Sequence, residues 1–426
     1  AGAAPFTATA YDSNANRVVV AYRDNANSTY GTAVVGTISG TSVSFGTPVV
    51  YKAARTDPNA ITFDSNSNKV VIAFCDRGNS NRGTAVVGTV NPANNSITFG
   101  TPVVFTTGAT TTVQGISITF DSNSNKVVIA YRNQSNSNYG EAIVGTVSGT
   151  NISFGNAVVY RSALIGIIDI TFDSNSNKVV IVNWNAANNS YGEAIVGTVS
   201  GTSISFGSAV VYESAYSTAN SIAFDSDSNK IVIAYRDNGN SNYGTAIVGT
   251  VSGTSISFGT PVIFNNAGTT PVIDIAYYAS AGKMAVIYQN NGSNQDGTLV
   301  LATISGTSIS FDPTTTVFNS AAASYAQCAY DSTAEKLFIA YADESNSSYG
   351  TGIVYNAAFD NTVRGSTASG STAIIQAGGA ISTLQTGLTA GQQYFVQTDG
   401  TLGLTAGSPS VIAGTAVSAT DLIVKG

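Results

Sequence analysis

The chain has no histidine, and only two cysteines, one tryptophan and one methionine among its 426 residues. Without histidine, Ser-His-Asp and Cys-His catalysis, histidine proton shuttles and ordinary zinc sites are excluded. Charged residues make up 10%, against roughly 25% in an average soluble domain. The net charge is −7, so we expect neither nucleic acid nor an anionic membrane as a partner. No apolar run approaches the roughly 18–20 residues of a membrane span, so no membrane insertion is expected.

The two cysteines, Cys75 and Cys328, are far apart in sequence and fit no metal-ligand spacing. Both lie in strand-like runs, AFCD and AQCAYD. We therefore expect free thiols rather than a disulfide or a nucleophile. No motif for a metal or a cofactor is evident, and none is expected.

What the chain does contain is a repeat. The pattern ITFDSNSNKVVIAYRDNGNSNYGTAIVGTVSGTSISFGTPVVF recurs with small changes every 52 to 57 residues. One marker is the Asp that opens an Asn/Ser-rich turn, at Asp12, Asp64, Asp121, Asp173, Asp225 and Asp331. In the sixth copy we place Ala279 at this position. A second marker is a glycine at Gly31, Gly83, Gly140, Gly192, Gly244, Gly297 and Gly350. Both markers give seven copies.

Each copy carries four strand signals, here called a (ITFD), b (KVVIAYR), c (GTAIVGTV) and d (SISFGTPVVY), joined by turn-forming residues. Four strands per repeat of ~52 residues predict an all-β fold, a seven-bladed β-propeller of four-stranded blades. A linear β-solenoid is the alternative. We expect the propeller to span 1–364 and a small C-terminal β domain, for anchoring or oligomerisation, to span 365–426.

The C-terminal segment carries a resemblance. GLTAGQQYFVQTDGTLGL, followed by SPSVIAGTAVSATDLIVKG at Gly426, resembles a closing segment of structural proteins of tailed bacteriophages, particularly marine ones, including tail-fibre-like proteins. The resemblance covers about 40 residues from Gly387 and implies a virion component at the particle surface, with other virion proteins as partners. No catalytic residue transfers with it. Because few strands can bury little surface, the domain predicts a homo-oligomer such as a trimer.

The DSNSNK turn matches the first half of a calcium loop, with oxygen ligands at alternate positions. The match then fails, because Lys or Arg follows where an EF-hand has Gly and no bidentate Glu comes after it. The turn is better explained as an Asx-capped hairpin between strands a and b, with Asp and Asn bonding their own backbone. Calcium binding is the alternative.

Sialidases are also propellers with repeated Asp-containing turns, but the turn here lacks their Gly-x-Thr-Trp continuation and the copies number seven rather than six. Glycosidase chemistry requires two carboxylates at a set distance. Asp24, Asp76, Asp237, Glu141 and Glu193 are available, yet no unique pair stands out from the repeats. We therefore expect no enzymatic activity.

Comparison of the copies with one another points to binding residues. The position at the end of strand b changes freely, and a Tyr often precedes the marker glycine. In a propeller, the b–c and d–a loops lie on one face, where binding residues collect. The candidate ligand-binding residues are Arg23, Tyr30, Arg132, Tyr139, Trp184, Tyr191, Arg236 and Tyr243. Neutral drift is the alternative, and Trp184 could instead pack between repeats 4 and 5.

These patterns lead to one functional prediction and two alternatives. We predict a non-enzymatic phage virion protein, a tail fibre or other appendage, whose propeller binds a host surface polysaccharide. A secreted or cell-surface carbohydrate-binding propeller is the first alternative, and a glycan hydrolase is the second.

Overall fold

A computed structural model of the chain describes residues 3–109 and 115–357 and seven short stretches of the remainder. Those stretches are 363–366, 372–375, 381–382, 392–396, 402–404, 412–416 and 422–424. Two compact units are present, Ala1–Tyr355 and Asn356–Gly426. The sheets are built from antiparallel pairs, so the predicted all-β class is confirmed, and the arrangement is consistent with a β-propeller.

Within the first unit the strands recur in the predicted order. Strand a is β1 (Ala8–Asp12), β10 (Ile116–Asp121), β15 (Ile165–Asp173), β24 (Thr269–Tyr278) and the second half of three long strands, β5 (Val49–Asp64), β19 (Val210–Asp225) and β28 (Thr316–Asp331). Strand b is β2 (Arg17–Asp24), β6 (Lys69–Asp76), β11 (Lys126–Asn133), β16 (Lys178–Asn185), β20 (Lys230–Asp237), β25 (Lys283–Asn290) and β29 (Lys336–Asp343). Strand c is β3 (Tyr30–Ser39), β7 (Arg82–Asn91), β12 (Tyr139–Ser148), β17 (Tyr191–Ser200), β21 (Tyr243–Ser252), β26 (Asp296–Ser305) and β30 (Tyr349–Tyr355).

Strand d is divided into two pieces that both pair with strand c. The first piece is β4 (Ser42–Phe45), β8 (Ser96–Phe99), β13 (Asn151–Phe154), β18 (Ser203–Phe206), β22 (Ser255–Phe258) and β27 (Ser308–Phe311). The second is β9 (Val103–Ala109), β14 (Val158–Arg161), β23 (Val262–Asn265) and the first half of β5, β19 and β28. Within the described residues, four 3₁₀ turns occur, at Arg77–Asn79, Ala186–Asn188, Ala279–Ala281 and Glu344–Asn346.

The core lies between successive repeats. Strand b has a sheet neighbour on each side, and its side chains are covered on both faces, which explains its continuous Val/Ile run. Val70, Val71 and Ile72 of β6 are fully buried. One cluster joins Val71 of the second repeat to Ile129 of the third. The repeats are therefore held together by the apolar faces of adjacent sheets.

The marker glycine allows close packing between strands c and d. A Cβ on Gly31 would lie 2.5 Å from Cε2 of Tyr51, the strand-d aromatic residue of the same repeat. The same overlap, with a Tyr or Phe ring, would occur at the marker glycine of each of the first six repeats. The glycine is therefore required because an aromatic ring fills its side-chain space.

The turn between strands a and b is the predicted Asx turn. Oδ1 of Asp64 accepts hydrogen bonds from the backbone N–H of Asn66 at 2.9 Å and of Ser67 at 3.0 Å, and Asn68 follows with a left-handed φ of 54°. The sequence placement of the sixth copy is wrong by one residue. Tyr278, not Ala279, pairs with Lys283 where the other copies pair Asp with Lys or Arg.

Strand a of each repeat lies beside strand a of the next, and β28 of the last repeat lies beside β1 of the first. The seven strands a therefore surround a common interior. Neither cysteine forms a disulfide with the other, as predicted, and Cys75 is buried while Cys328 is half-buried. No helix within the described ranges is long and apolar enough to cross a bilayer.

The second unit contains short strands. They are β31 (Val363–Ser366), β32 (Thr372–Ile375), β33 (Ile381–Ser382), β34 (Gln393–Val396), β35 (Leu402–Gly403), β36 (Ile412–Ala416) and β37 (Leu422–Val424). The first two form a hairpin, and the other five form one sheet in the order β33-β37-β36-β34-β35. Most of the segment carrying the phage resemblance lies outside the described residues.

Candidate functional site

A central cavity of about 430 Å³ lies where the strands a begin. Every repeat contributes to its wall. At the fourth position before the turn residue, the seven strands place Ala8, Ala60, Ser117, Asp169, Ser221, Asp274 and Gln327. The first two repeats therefore form an apolar arc of the cavity wall, and the other five form a polar arc. The cavity volume lies within the size range of small-molecule pockets.

The rim of this cavity has an unusual backbone. Phe6, Ile167, Ala219 and Tyr325, all six positions before the turn, have positive φ angles of 58°, 46°, 51° and 53°. The ladder between strands a and b shifts register at the same place. A left-handed non-glycine residue costs roughly 1–2 kcal/mol, and the cost is greatest for a β-branched residue such as Ile167. Such strain is tolerated most often near functional sites.

The eight predicted residues fall into two sets. Arg23, Arg132, Trp184 and Arg236 lie at the end of strand b. Arg23 contacts Asp57 and Arg132 contacts Ile165, in each case in the next repeat. Tyr30, Tyr139, Tyr191 and Tyr243 begin strand c and are half-buried. Trp184 pairs with Gly192, whereas Tyr191 pairs with Asn185. Because side chains alternate along a strand, Trp184 and Tyr191 point to opposite faces of their sheet. The structure therefore does not bring these two together.

Between repeats 1 and 2, the strand-b residue belongs to a charged cluster that we call the Arg notch: Arg23, Arg55, Asp57 and Arg77. Arg55 and Arg77 contact the Asp57 carboxylate at 2.7 Å and 2.6 Å. Arg23 also contacts this carboxylate, and its guanidinium lies 4.9 Å from the ring centroid of Phe6. Burial raises the pKa of Asp57, but the hydrogen bonds from the three arginines outweigh it and hold that pKa below its ordinary value. The single carboxylate offsets one of the three positive charges, so the notch remains positively charged.

Between repeats 4 and 5, the same four repeat positions form what we call the aromatic notch: Trp184, Tyr216, Thr218 and Asn238. The Trp184 and Tyr216 rings are 5.8 Å apart and nearly perpendicular, at 85°. Tyr216 is 42% exposed, and Trp184 is half-buried. The Thr218 hydroxyl donates to Oδ1 of Asn238 at 2.9 Å. The notch thus combines accessible aromatic surface with neutral hydrogen-bonding groups.

Gly166 makes room for the indole. A Cβ at Gly166 would lie 2.3 Å from Cζ2 of Trp184. Other copies place Pro5, Asp57, Thr218 or Ser324 at this position. The one tryptophan of the chain therefore occurs in the same repeat as a glycine that accommodates it.

The remaining two strand-b residues are more enclosed. Arg132 donates from Nη1 to the backbone oxygen of Ile165 in the next repeat, at 2.9 Å. Its Nε and that of Arg236 are buried, and neither has a hydrogen-bond partner. Burial lowers the pKa of Arg132. These two arginines offer less accessible surface for a ligand than the aromatic notch.

The two glutamates considered for catalysis are occupied by hydrogen bonds and an ion pair to neighbouring side chains. Glu141 accepts hydrogen bonds from Tyr131, Asn133 and Asn136, at 2.7 to 2.9 Å. Glu193 accepts from Asn185 and Asn188 at 3.1 Å and pairs with Arg161. These glutamates order the b–c loops. In the described part of the chain, no group of three or more Cys, Asp or Glu side chains is placed to hold a metal ion.

The sequence matches no known protein family and no curated protein. Its fold has solved counterparts. The BP39L lectin from Burkholderia pseudomallei matches with a TM-score of 0.61 at 12% identity, over 84% of this chain and 97% of the lectin. An arginine-to-alanine mutant of AofleA from Arthrobotrys oligospora matches at 0.47 and 9% identity, over 74% of this chain and 87% of that protein. Sqt1 from Saccharomyces cerevisiae also matches at 0.47, with 10% identity, over 83% and 95% of the two chains. At these identities the likeness concerns the fold alone.

Proposed function

We propose that the protein is a non-enzymatic, seven-bladed β-propeller that binds carbohydrate at the aromatic notch. The observation that carries the proposal is the Trp184–Tyr216 pair, whose rings lie 5.8 Å apart and of which Tyr216 is 42% exposed. The fold likeness to a protein described as a lectin supports it. The ring of seven adjacent strands a supports the blade count.

The chemistry of the notch suits a sugar ring. A flat aromatic face stacks on the apolar C–H surface of a pyranose, and the perpendicular Tyr216 supplies a second wall. Thr218 and Asn238 bring a hydroxyl and an amide to the same repeat boundary, where they can pair with sugar hydroxyls. Neither group is charged, so the notch favours a neutral glycan over an ionic ligand.

A glycan array with the intact chain, followed by titration of the best glycan, tests this assignment. We expect Trp184→Ala and Tyr216→Ala each to weaken binding about tenfold or more, which corresponds to ~1.4 kcal/mol of lost contact. Arg55→Ala is the matched control, because Arg55 occupies the Tyr216 position in the Arg notch. It should leave affinity unchanged.

Two outcomes would reject the aromatic notch. Either both aromatic variants keep full affinity, or Trp184→Ala destabilises the fold by the roughly 3–5 kcal/mol typical of a core truncation. In the second case Trp184 is a packing residue between repeats 4 and 5. Product analysis after incubation with the bound glycan checks the non-enzymatic part, since released sugar would indicate hydrolysis.

The virion assignment is a separate proposal that rests on the C-terminal sequence from Gly387 to Gly426. It would make the glycan a host surface polysaccharide and give the protein virion partners. Immunogold labelling of phage particles tests it, because only a virion component appears at fixed positions on a particle. A glycan-binding protein without such labelling would instead be the secreted or cell-surface form.

A further inference from the structure

A chain of hydrogen bonds follows the polar arc of the central cavity. Ser117 Oγ donates to Oδ1 of Asp169 at 2.8 Å. Ser221 Oγ lies 3.1 Å from Oδ2 of Asp169 and 3.0 Å from Oδ1 of Asp274. Oδ2 of Asp274 accepts the backbone N–H of Cys328 at 2.7 Å. The chain therefore links strands a from β10 to β28 across the gaps between their sheets.

The Ser221 hydroxyl has one proton but contacts two carboxylates. If both carboxylates were ionised, one of the two contacts would join oxygens with no hydrogen between them. Such a buried contact is repulsive rather than bonding. Both contacts have the length of a hydrogen bond, and a proton on one of the two carboxyl groups gives each contact its own hydrogen.

The surroundings decide which carboxyl group carries it. Asp169 accepts four donors: the Ser117 and Ser221 hydroxyls and the backbone N–H groups of Ile170 and Ile222. Donors of this kind stabilise the ionised form. Among the described residues, Asp274 accepts one backbone N–H, that of Cys328, whereas Asp169 accepts two. The proton therefore belongs on Asp274.

No positive charge competes with that proton. The groups that face Asp274 are Asp169 across Ser221, the Cys328 thiol from β28 and, through backbone pairing, Ile287 of β25. Neither Asp169 nor Asp274 forms an ion pair with a lysine or arginine within the described residues. The ionised pair would therefore place two unbalanced carboxylates in one buried network.

We propose that Asp274 keeps a proton up to about neutral pH, donates it to Ser221, and on losing it weakens the junction between β19 and β24. Burial, together with the charge of Asp169, raises the pKa of Asp274 to about 7, which agrees with the hydrogen-bond geometry. The folded state then binds this proton more tightly than the unfolded chain. Its contribution to stability is complete below about pH 4 and is lost as the pH rises to about 7.

Asp274→Asn provides the test, because an amide imitates the neutral acid with a fixed donor toward Ser221 and an acceptor toward Cys328 N–H. Thermal unfolding of the full chain should give nearly equal Tm values for the two proteins near pH 4. The variant should be more stable by several degrees near pH 8. Difference infrared spectra should show a protonated carboxyl band at about pH 6 in the wild type that the variant lacks.

A second readout does not depend on the variant. Trp184 is the only tryptophan, and it contacts Tyr216 on β19, the strand that also carries Ser221. Its fluorescence should change with a midpoint near neutral pH. A constant Tm difference between wild type and Asp274→Asn, or a spectrum without the carboxyl band, would overturn the proposal. So would loss of the pH dependence in Asp169→Asn instead, since the proton would then reside on Asp169.

Discussion

The Arg notch and the aromatic notch occupy the same four positions of the repeat, yet one is charged and the other neutral. The corresponding pairs are Arg23 and Trp184, Arg55 and Tyr216, Asp57 and Thr218, and Arg77 and Asn238. In the first, three guanidinium groups converge on one fully buried carboxylate. In the second, two rings meet edge to face, and one of them is largely open to solvent.

This difference shows which part of the repeat is fixed and which is free. The marker glycine, the strand-d aromatic ring and the Asx turn recur with little change and hold each sheet together. The four notch positions bridge neighbouring sheets, where many side-chain combinations can fill the gap. The Arg notch joins neighbouring sheets through ion pairs, and the aromatic notch leaves surface for a ligand.

Removal of the Arg-notch ion pairs should have the largest effect on stability. Asp57→Ala leaves the partly buried guanidinium groups of Arg23 and Arg77 beside the exposed one of Arg55 without their anion, so we expect a loss of about 2–4 kcal/mol in the free energy of unfolding. Urea denaturation measures it. Thr218→Ala is the matched change in the aromatic notch and removes one neutral hydrogen bond, worth ~1 kcal/mol. Equal losses in the two variants would show that the arginine cluster does not stabilise the junction.

The second prediction concerns the space for the indole. Gly166→Ala should displace Trp184, because the new methyl group would overlap its ring. We expect a loss of about 1–3 kcal/mol, together with weaker glycan binding. A Trp184→Arg variant carries at this repeat position the same residue type as Arg23. In that variant, the Gly166→Ala change should lower the free energy of unfolding by less than ~1 kcal/mol. If the cost is the same in both backgrounds, the two residues are not coupled.

The repeat made much of the fold predictable. The Asp and Gly markers located the pairs of strands a, b and c in the repeats, with one turn misplaced by a residue, and the Asx turn follows from the preference of Asp for its own backbone. The one misplaced turn residue, Tyr278, arose because the sixth copy has no Asp there and so offers no marker. The contacts within a sheet are local, and local contacts are what a repeat pattern encodes.

Contacts between sheets were harder to predict from the sequence. Trp184 was singled out because it varies among the copies, but Tyr216 is separated from it by more than thirty residues and lies on β19, the long strand that continues into the next repeat. The same holds for Asp169 and Asp274, whose partners come from neighbouring strands a. A signal was present, since the position four residues before the turn changes from Ala to Ser, Asp and Gln among the copies. This variation could be interpreted only once the closed ring of strands placed the seven positions around one cavity.

Two asparagines that occupy the same repeat position differ in their hydrogen bonds, and we expect their substitution to have a smaller effect on stability. At the Arg notch, Asn59 accepts from the Tyr51 hydroxyl at 2.9 Å and donates to the Phe6 carbonyl at 3.2 Å. At the aromatic notch, both amide atoms of Asn220 are buried, and neither has a hydrogen-bond partner. Ile168, at the same position in another copy, is 5% exposed and well packed. The site therefore accepts an isoleucine.

Isoleucine substitutions should act in opposite directions at these two asparagines. Asn220→Ile removes an unpaired buried amide, so we expect a gain of about 1 kcal/mol. Asn59→Ile removes the hydrogen bonds to the Tyr51 hydroxyl and the Phe6 carbonyl and leaves Tyr51 with Thr56 as its hydroxyl partner, so we expect a loss of about 1–2 kcal/mol. Thermal unfolding of the two single variants measures both. A destabilised Asn220→Ile would indicate that a water molecule or a ligand satisfies this amide in solution.

The smallest expected effect is at the opposite end of the sheets, where the two regions are alike. In repeat 2 the Asp64 carboxylate accepts two backbone N–H groups, and in repeat 5 Asp225 does the same, at 2.9 Å and 3.2 Å. An oxygen committed to backbone donors is a poor calcium ligand, and Lys69 or Lys230 follows each turn. EDTA should therefore leave Tm unchanged to within about one or two degrees, because no bound ion would be lost from the folded state. A drop of many degrees that added calcium reverses would make the turns metal sites, and the fixed element of the repeat would then be a coordination shell rather than an Asx turn.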